Sequence, residues 1–116
     1  MEFAYTADQE ALRQEVQQFI ADNVDGPVRK EIANTDEMSQ GPLVRDLRKK
    51  VAAKGWVGIS WPKEYGGQDG SRIDQYIVEE EFSRIGVGVG GAGSGAPAIL
   101  AAGTEEQKKT LLPGLI

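Results

Sequence analysis

The sequence predicts an all-α fold, a helical bundle or array of four to six helices, on three observations. Apolar residues recur at three- and four-residue spacing through Thr6–Asn23, Pro42–Val51 and Ser71–Ile85, the pattern of helices with one buried face. The breaks between helical segments are short and carry Gly or Pro, as at Gly26-Pro27, Gly41-Pro42 and Gly103, which suits helices that pack on their chain neighbours. No segment alternates apolar and polar residues long enough for a strand, and Ile59-Ser60-Trp61 does so only briefly.

The first helix begins at Thr6 or Asp8, either of which can cap it, and runs to about Asn23 with Leu12, Val16, Phe19 and Ile20 on one stripe. Gly26-Pro27 breaks the pattern, and the polar region Val28–Met38 is expected to hold a short helix around Arg29–Ala33. Gly41-Pro42 opens the next helix, with Pro42 at the tolerated first position and Leu43, Leu47 and Val51 four apart. Its cations Arg45, Arg48, Lys49, Lys50 and Lys54 complement the negative end of the helix dipole, a simpler reading than a phosphate-binding face. Gly55 closes it. Another helix runs from Ser71, where Ser-x-x-Asp74 imitates a capping box, to Ile85, with Ile73, Ile77, Val78, Phe82 and Ile85 as its apolar side. Ala96–Ala102 is apolar enough to be buried, Gly103 stops it, and Thr104-Glu105-Glu106-Gln107 forms a second capping box before Lys108–Leu112.

Between the helices, Gly55–Gly67 gathers both tryptophans, Pro62, Tyr65 and four glycines in thirteen residues. Pro62 pushes Trp61 into an extended conformation, and Gly66-Gly67 allows positive φ. Two indoles and a phenol need apolar surface to pack against, so this is an ordered loop lying across the helices rather than a flexible linker.

Composition narrows the chemistry. At 116 residues the chain is at most one domain, big enough for only a modest core. A net charge of −5, with the thirteen basic residues scattered, argues against nucleic acid and against an anionic membrane surface. Without cysteine or histidine there is no disulfide, no thiolate nucleophile and no imidazole base. No apolar run is long enough for a membrane span and no signal or transit peptide opens the chain, so a cytoplasmic protein of bacterial type is expected. The ending on Leu111, Leu112, Leu115 and Ile116 predicts a chain cut just before a further domain.

Two motifs invite catalytic readings. Glu79-Glu80-Glu81 lies within a helix, where consecutive side chains diverge and three carboxylates cannot converge on one substrate atom; a solvated face is expected for most of them. Gly86–Gly95 contains Gly86-x-Gly88-x-x-Gly91 and Gly88-x-Gly90-x-x-Gly93. A dinucleotide fingerprint needs a strand before it, whereas a helix precedes this one, and no Gly-Lys-Ser/Thr follows to make a P-loop. The run then reads as a loop or helix start with little side chain, allowing close backbone approach.

Four segments, in order and spacing, carry a family resemblance. Phe3–Phe19 resembles the opening helix of the acyl-CoA dehydrogenases, and Gly55–Gly67 their G-W-x-G-I-x-x-P-x-E-Y-G-G loop. Glu79–Gly86 is similar to their E-E-E-F-x-R-x-G helix end, and Gly103–Lys109 with Leu112-Pro113 to their G-T-E-E-Q-K-x-x-x-L-P segment. The resemblance covers the whole chain and implies the N-terminal helical domain of an FAD-dependent oxidoreductase. Such an enzyme oxidises acyl-CoA to trans-2-enoyl-CoA, with a glutamate base taking the pro-R α-proton and flavin N5 accepting the β-hydrogen as hydride. The flavin-binding β-domain and the catalytic C-terminal helical domain would lie outside residues 1–116, so that no catalytic, FAD-binding or metal-binding residue is expected here and the chain alone is expected to be inactive. Implied partners are acyl-CoA, the remaining domains, a homo- or hetero-oligomeric subunit, and electron-transfer flavoprotein as acceptor. For Val89, Gly90, Gly91, Gly93 and Ser94 the resemblance implies a place beside the acyl chain. Their missing side-chain volume predicts a wide pocket, suited to a branched, ring-bearing or long thioester. The alternative from another class is a non-catalytic partner subunit or helical interaction module derived from this family, in which the aromatic loop and apolar end are docking surface.

Overall fold

The computed structural model describes residues 5–35, 41–89 and 95–113. Expectations touching residues 1–4, 36–40, 90–94 and 114–116 lie outside it, among them Phe3, the end of the Val28–Met38 region, and Leu115-Ile116. Among the described residues there are six α-helices, one 3-10 turn and no strand: α1 (Ala7–Asn23), α2 (Gly26–Asn34), α3 (Pro42–Ala53), the turn Lys63–Tyr65, α4 (Arg72–Arg84), α5 (Gly95–Ala102) and α6 (Glu105–Leu111). No helix among them is long and apolar enough to cross a membrane.

Helix α1 starts where the capping chemistry says it should. The Thr6 hydroxyl accepts from Gln9 N while Thr6 N donates to Gln9 Oε1, a reciprocal box. Its buried stripe of Val16 and Ile20, flanked by half-buried Leu12 and Phe19, packs on α4. Gly26-Pro27 does not break the helical pattern but begins α2: Asp25 caps it by accepting from Val28 N at 3.0 Å, and Pro27 sits in the first turn, where a missing N–H costs nothing. The helix therefore extends beyond Arg29–Ala33 at both ends.

The buried stripe of α3 is Val44, Leu47 and Val51, while Leu43 is exposed. A strict four-residue spacing drifts around the helix, and the i, i+3, i+7 set stays on one face. Glycine at its N-cap has no side chain to satisfy the first amides. Glu31, reaching across from α2, accepts from Leu43 N at 3.2 Å and Val44 N at 2.6 Å and replaces the missing cap.

The aromatic loop is ordered and buried, with Trp56, Val57, Ile59, Trp61 and Tyr65 all inside. Gly66 has φ 95° and closes the 3-10 turn, but Gly67 serves differently from the expected positive φ: a β-carbon there would collide with the Trp61 carbonyl. The loop is laced by Trp61 N to Gly58 O, Asp69 N to Trp61 O and Gly70 N to Ile59 O. Gln75 ties it to α4 through Ser60 N and Oγ.

Helix α4 is capped by Ser71, whose hydroxyl accepts from Asp74 N. Ile77, Val78 and Phe82 are fully buried whereas Ile73 is exposed. Phe82 meets Phe19 edge-on at 6.1 Å, and Phe19 meets Trp56 at 5.1 Å, so α1, α4 and the loop share one aromatic triangle. Helix α5 departs from expectation: Ala98, Ala101 and Ala102 are exposed and Ile99 and Leu100 only half-buried. It lies apart from the main core, in a second cluster of Trp61, Tyr65 and Leu112.

Candidate functional site

The segment expected to line an acyl chain is bracketed by two anchors. At its upstream end α4 stops at Ile85, Val87 N donates to Phe82 O at 3.0 Å, and Val87 and Val89 are buried in the main core. At its downstream end α5 begins at Gly95 and rests through Ile99 and Leu100 on Trp61, Tyr65 and Leu112. Of the five residues singled out in the sequence, Val89 is thus an interior side chain, and Gly90, Gly91, Gly93 and Ser94 lie outside the described residues. An open recess of about 530 Å³ sits between loop, α4 and α5, lined by Ser60, Trp61, Arg72, Gln75, Leu100 and Ala101.

The second cluster has its own polar tie. The Tyr65 hydroxyl, on an otherwise buried ring, lies 2.7 and 2.8 Å from the two Glu105 oxygens, and Lys108 Nζ stands 5.9 Å from the ring centre. Hydrogen bonding to Glu105 holds the phenol proton well above the usual tyrosine range, with desolvation adding to the effect. Glu105 is itself placed by the Thr104–Gln107 capping box, which forms as expected.

Glu80 and Glu81 of the acidic triplet belong to an ion network rather than to a solvated face. Glu80 and Glu81 both meet Arg13 NH1, Glu80 at 2.9 Å; Arg84 NH2 reaches Glu80 at 3.1 Å and Gln17 reaches Glu81 at 3.3 Å. Glu81 is buried, and Glu79 pairs with Gln75 at 3.1 Å. Adjacent carboxylates do diverge, but a long guanidinium from the facing helix enters between them and meets both. Hydrogen bonding to Tyr76 first and Arg13 second holds the Glu80 carboxyl below its ordinary value, and the Glu81 hydrogen bond raises the Arg13 guanidinium above its own. A general base at neutral pH needs the opposite shift, so the network clamps α1 to α4. Arg13 escaped the sequence reading although it stands three residues before Val16 and seven before Ile20, on the flank of the buried stripe.

The glycine-rich stretch does not fit a dinucleotide. It follows a helix, its valines are built into the core, and no strand precedes it among the described residues.

Residues 6–116 match the family model described as acyl-CoA dehydrogenase, N-terminal domain. The chain is 38% identical to acyl-CoA dehydrogenase FadE26 of Mycobacterium tuberculosis over 97% of its own length and 29% of that protein's. Among solved structures it is similar to the Tcur3481-Tcur3483 steroid ACAD, with a TM-score of 0.79, 31% identity, and coverage of 99% of this chain and 30% of that one. It is also similar to the ChsE4-ChsE5 complex from Mycobacterium tuberculosis, with a TM-score of 0.69, 34% identity, and coverage of 97% and 28%. The chain thus spans less than a third of the length of the relatives it matches. Matched over nearly its whole length in both sequence and helical architecture, it belongs to the acyl-CoA dehydrogenase family, as the N-terminal domain.

Proposed function

We propose that this chain is the substrate-wall domain of a flavin-dependent acyl-CoA dehydrogenase that oxidises acyl-CoA to trans-2-enoyl-CoA. Residues 90–94 face the acyl chain, with Val89 as their anchor. The observation that carries the reading is the bracketing of this segment, held upstream by buried Val87 and Val89 and downstream by α5 on the aromatic loop. A wall whose flanking residues are anchored can position a thioester while other domains hold the flavin and supply the base. With glycine at three of its five positions, the segment leaves room for a bulky acyl group. A ring-bearing thioester is the substrate class we favour, and the similarity to a protein described as a steroid ACAD supports it. The similarity to the ChsE4-ChsE5 complex and to the Tcur3481-Tcur3483 protein supports a hetero-oligomer here, and electron-transfer flavoprotein is the acceptor that the family reading proposes.

Two measurements test the reading. Protein expressed from the native gene should be yellow and should reduce dye with acyl-CoA, while the 116-residue chain alone does neither; a colourless, inactive native product would favour the non-catalytic subunit. Gly91→Leu and Gly93→Leu should curtail activity on ring-bearing or long thioesters before short ones. Equal loss on all substrates would overturn the wide-pocket assignment.

A further inference from the structure

We infer that the uncovered face of α5, with the recess beside it, is the socket for an apolar segment of the same polypeptide beyond residue 116, one that sets a carboxylate against Arg72. The inference rests on the part of the reading above that gives the native protein further domains, and adds to it a contact surface and the chemistry of what covers it.

Every residue of Gly95–Ala102 is apolar, and a helix apolar all round is a buried helix. Of its described side chains, Ile99 and Leu100 lean on Trp61, Tyr65 and Leu112, while Ala98, Ala101 and Ala102, at i, i+3 and i+4 on one face, are exposed. Its eight residues reach about 12 Å, far short of the roughly 30 Å of a bilayer, so a membrane span does not supply the missing cover. The face continues into the open recess of about 530 Å³, because Leu100 and Ala101 form one of its walls, with Ser60, Trp61, Arg72 and Gln75 as the others. The other polar groups there are engaged: Ser60 N and Oγ donate to Gln75 Oε1, and Gln75 Nε2 donates to Glu79. Arg72 differs. Its guanidinium makes no ion pair or hydrogen bond among the described residues, in a chain of net charge −5. An arginine beside an indole and an aliphatic wall is the kind of side chain that anchors an interface, and a carboxylate is what its planar fork fits. The larger part of each relative lies outside the match, and α6 delivers the chain to Leu112, buried in the same small cluster on which α5 rests. Polypeptide that continues from there starts beside the uncovered face, whereas a second subunit would also lose its translational and rotational freedom on docking.

The test uses the native gene product, in which Ala98→Cys, Ala101→Cys and, on α2, Ala33→Cys each place a thiol in a domain that has none of its own. All three alanines are exposed within this domain, so the substitutions leave its packing intact. Maleimide labelling, located by peptide mass, should be roughly a hundredfold slower at positions 98 and 101 than at 33 in the folded protein. Adding Arg72→Glu should accelerate labelling at 101 roughly tenfold, and Arg72→Lys, which keeps the charge, much less. Rates at 98 and 101 equal to that at 33 overturn the socket. Slow labelling that Arg72→Glu leaves unchanged overturns the carboxylate, and protection that is lost when subunits are diluted apart overturns the segment in cis in favour of a second subunit. A wild-type product that fails to oxidise acyl-CoA while 98 and 101 stay protected overturns the substrate-wall reading and leaves the socket standing; oxidation with both positions freely labelled does the reverse.

Discussion

Arg13 is the side chain on which the α1–α4 packing turns. It brings charge into a part-buried interface, where the desolvation cost is offset only if the partners stay in place. Glu81→Ala should therefore destabilise the chain by about 2 kcal/mol, less than an uncompensated buried charge because Glu80 remains. Urea titration checks this, and a loss near zero would show that the network is decorative. The pH dependence has a definite sign. Glu80 has its folded pKa depressed by Tyr76 and Arg13, so its contribution is fully present above the ordinary carboxylate value and disappears as pH falls through the folded value. Melting temperature should fall on acidification more steeply in the wild type than in Glu80→Gln, and parallel curves would count against that assignment.

Helix boundaries were largely legible in the sequence because their determinants are local. Thr6, Ser71 and Thr104 cap the helices they were expected to cap, through hydroxyls that meet amides three residues ahead. What escaped were determinants that cross between helices. Nothing in the spacing of Val28–Met38 announces that Glu31 caps the next helix twelve and thirteen residues on, in place of a glycine that cannot. Replacing Glu31 with Ala should cost about 1 kcal/mol of stability and Gln roughly half that, readable as a shift in thermal midpoint. Failure to separate Gln from Ala would mean that the two amides find water instead. For the same reason the apolar Ala96–Ala102 run was misjudged as buried: composition reports hydrophobicity, whereas burial depends on whether the partner surface lies within this chain. The candidate wall was legible only as a position bounded by Val89 and Gly95 and known by resemblance, since glycine carries no side-chain signal of what it faces.

At the scale of the whole molecule, the described residues form two apolar bodies of unequal size, joined by the aromatic loop. The loop contributes Trp56, Val57 and Ile59 to the larger and Trp61 and Tyr65 to the smaller. The larger should set the global stability. Phe82→Ala, at the centre of its aromatic triangle, should cost roughly 3–5 kcal/mol and leave the 116-residue chain unfolded or nearly so under ambient conditions. Retention of a cooperative thermal transition close to that of the wild type would argue that the triangle is not central.

The placement of the two indoles supplies a built-in pair of optical reporters. Trp56 emits from the larger body and Trp61 from the smaller, so Trp61→Phe and Trp56→Phe each leave a lamp in a single compartment. If the smaller body opens independently, the Trp61 lamp should redden at a lower denaturant concentration than the Trp56 lamp. On the substrate-wall proposal, supplying the flavin-binding and C-terminal domains should bring the two transitions together, turning a pair of fluorescence curves into a direct readout of domain docking.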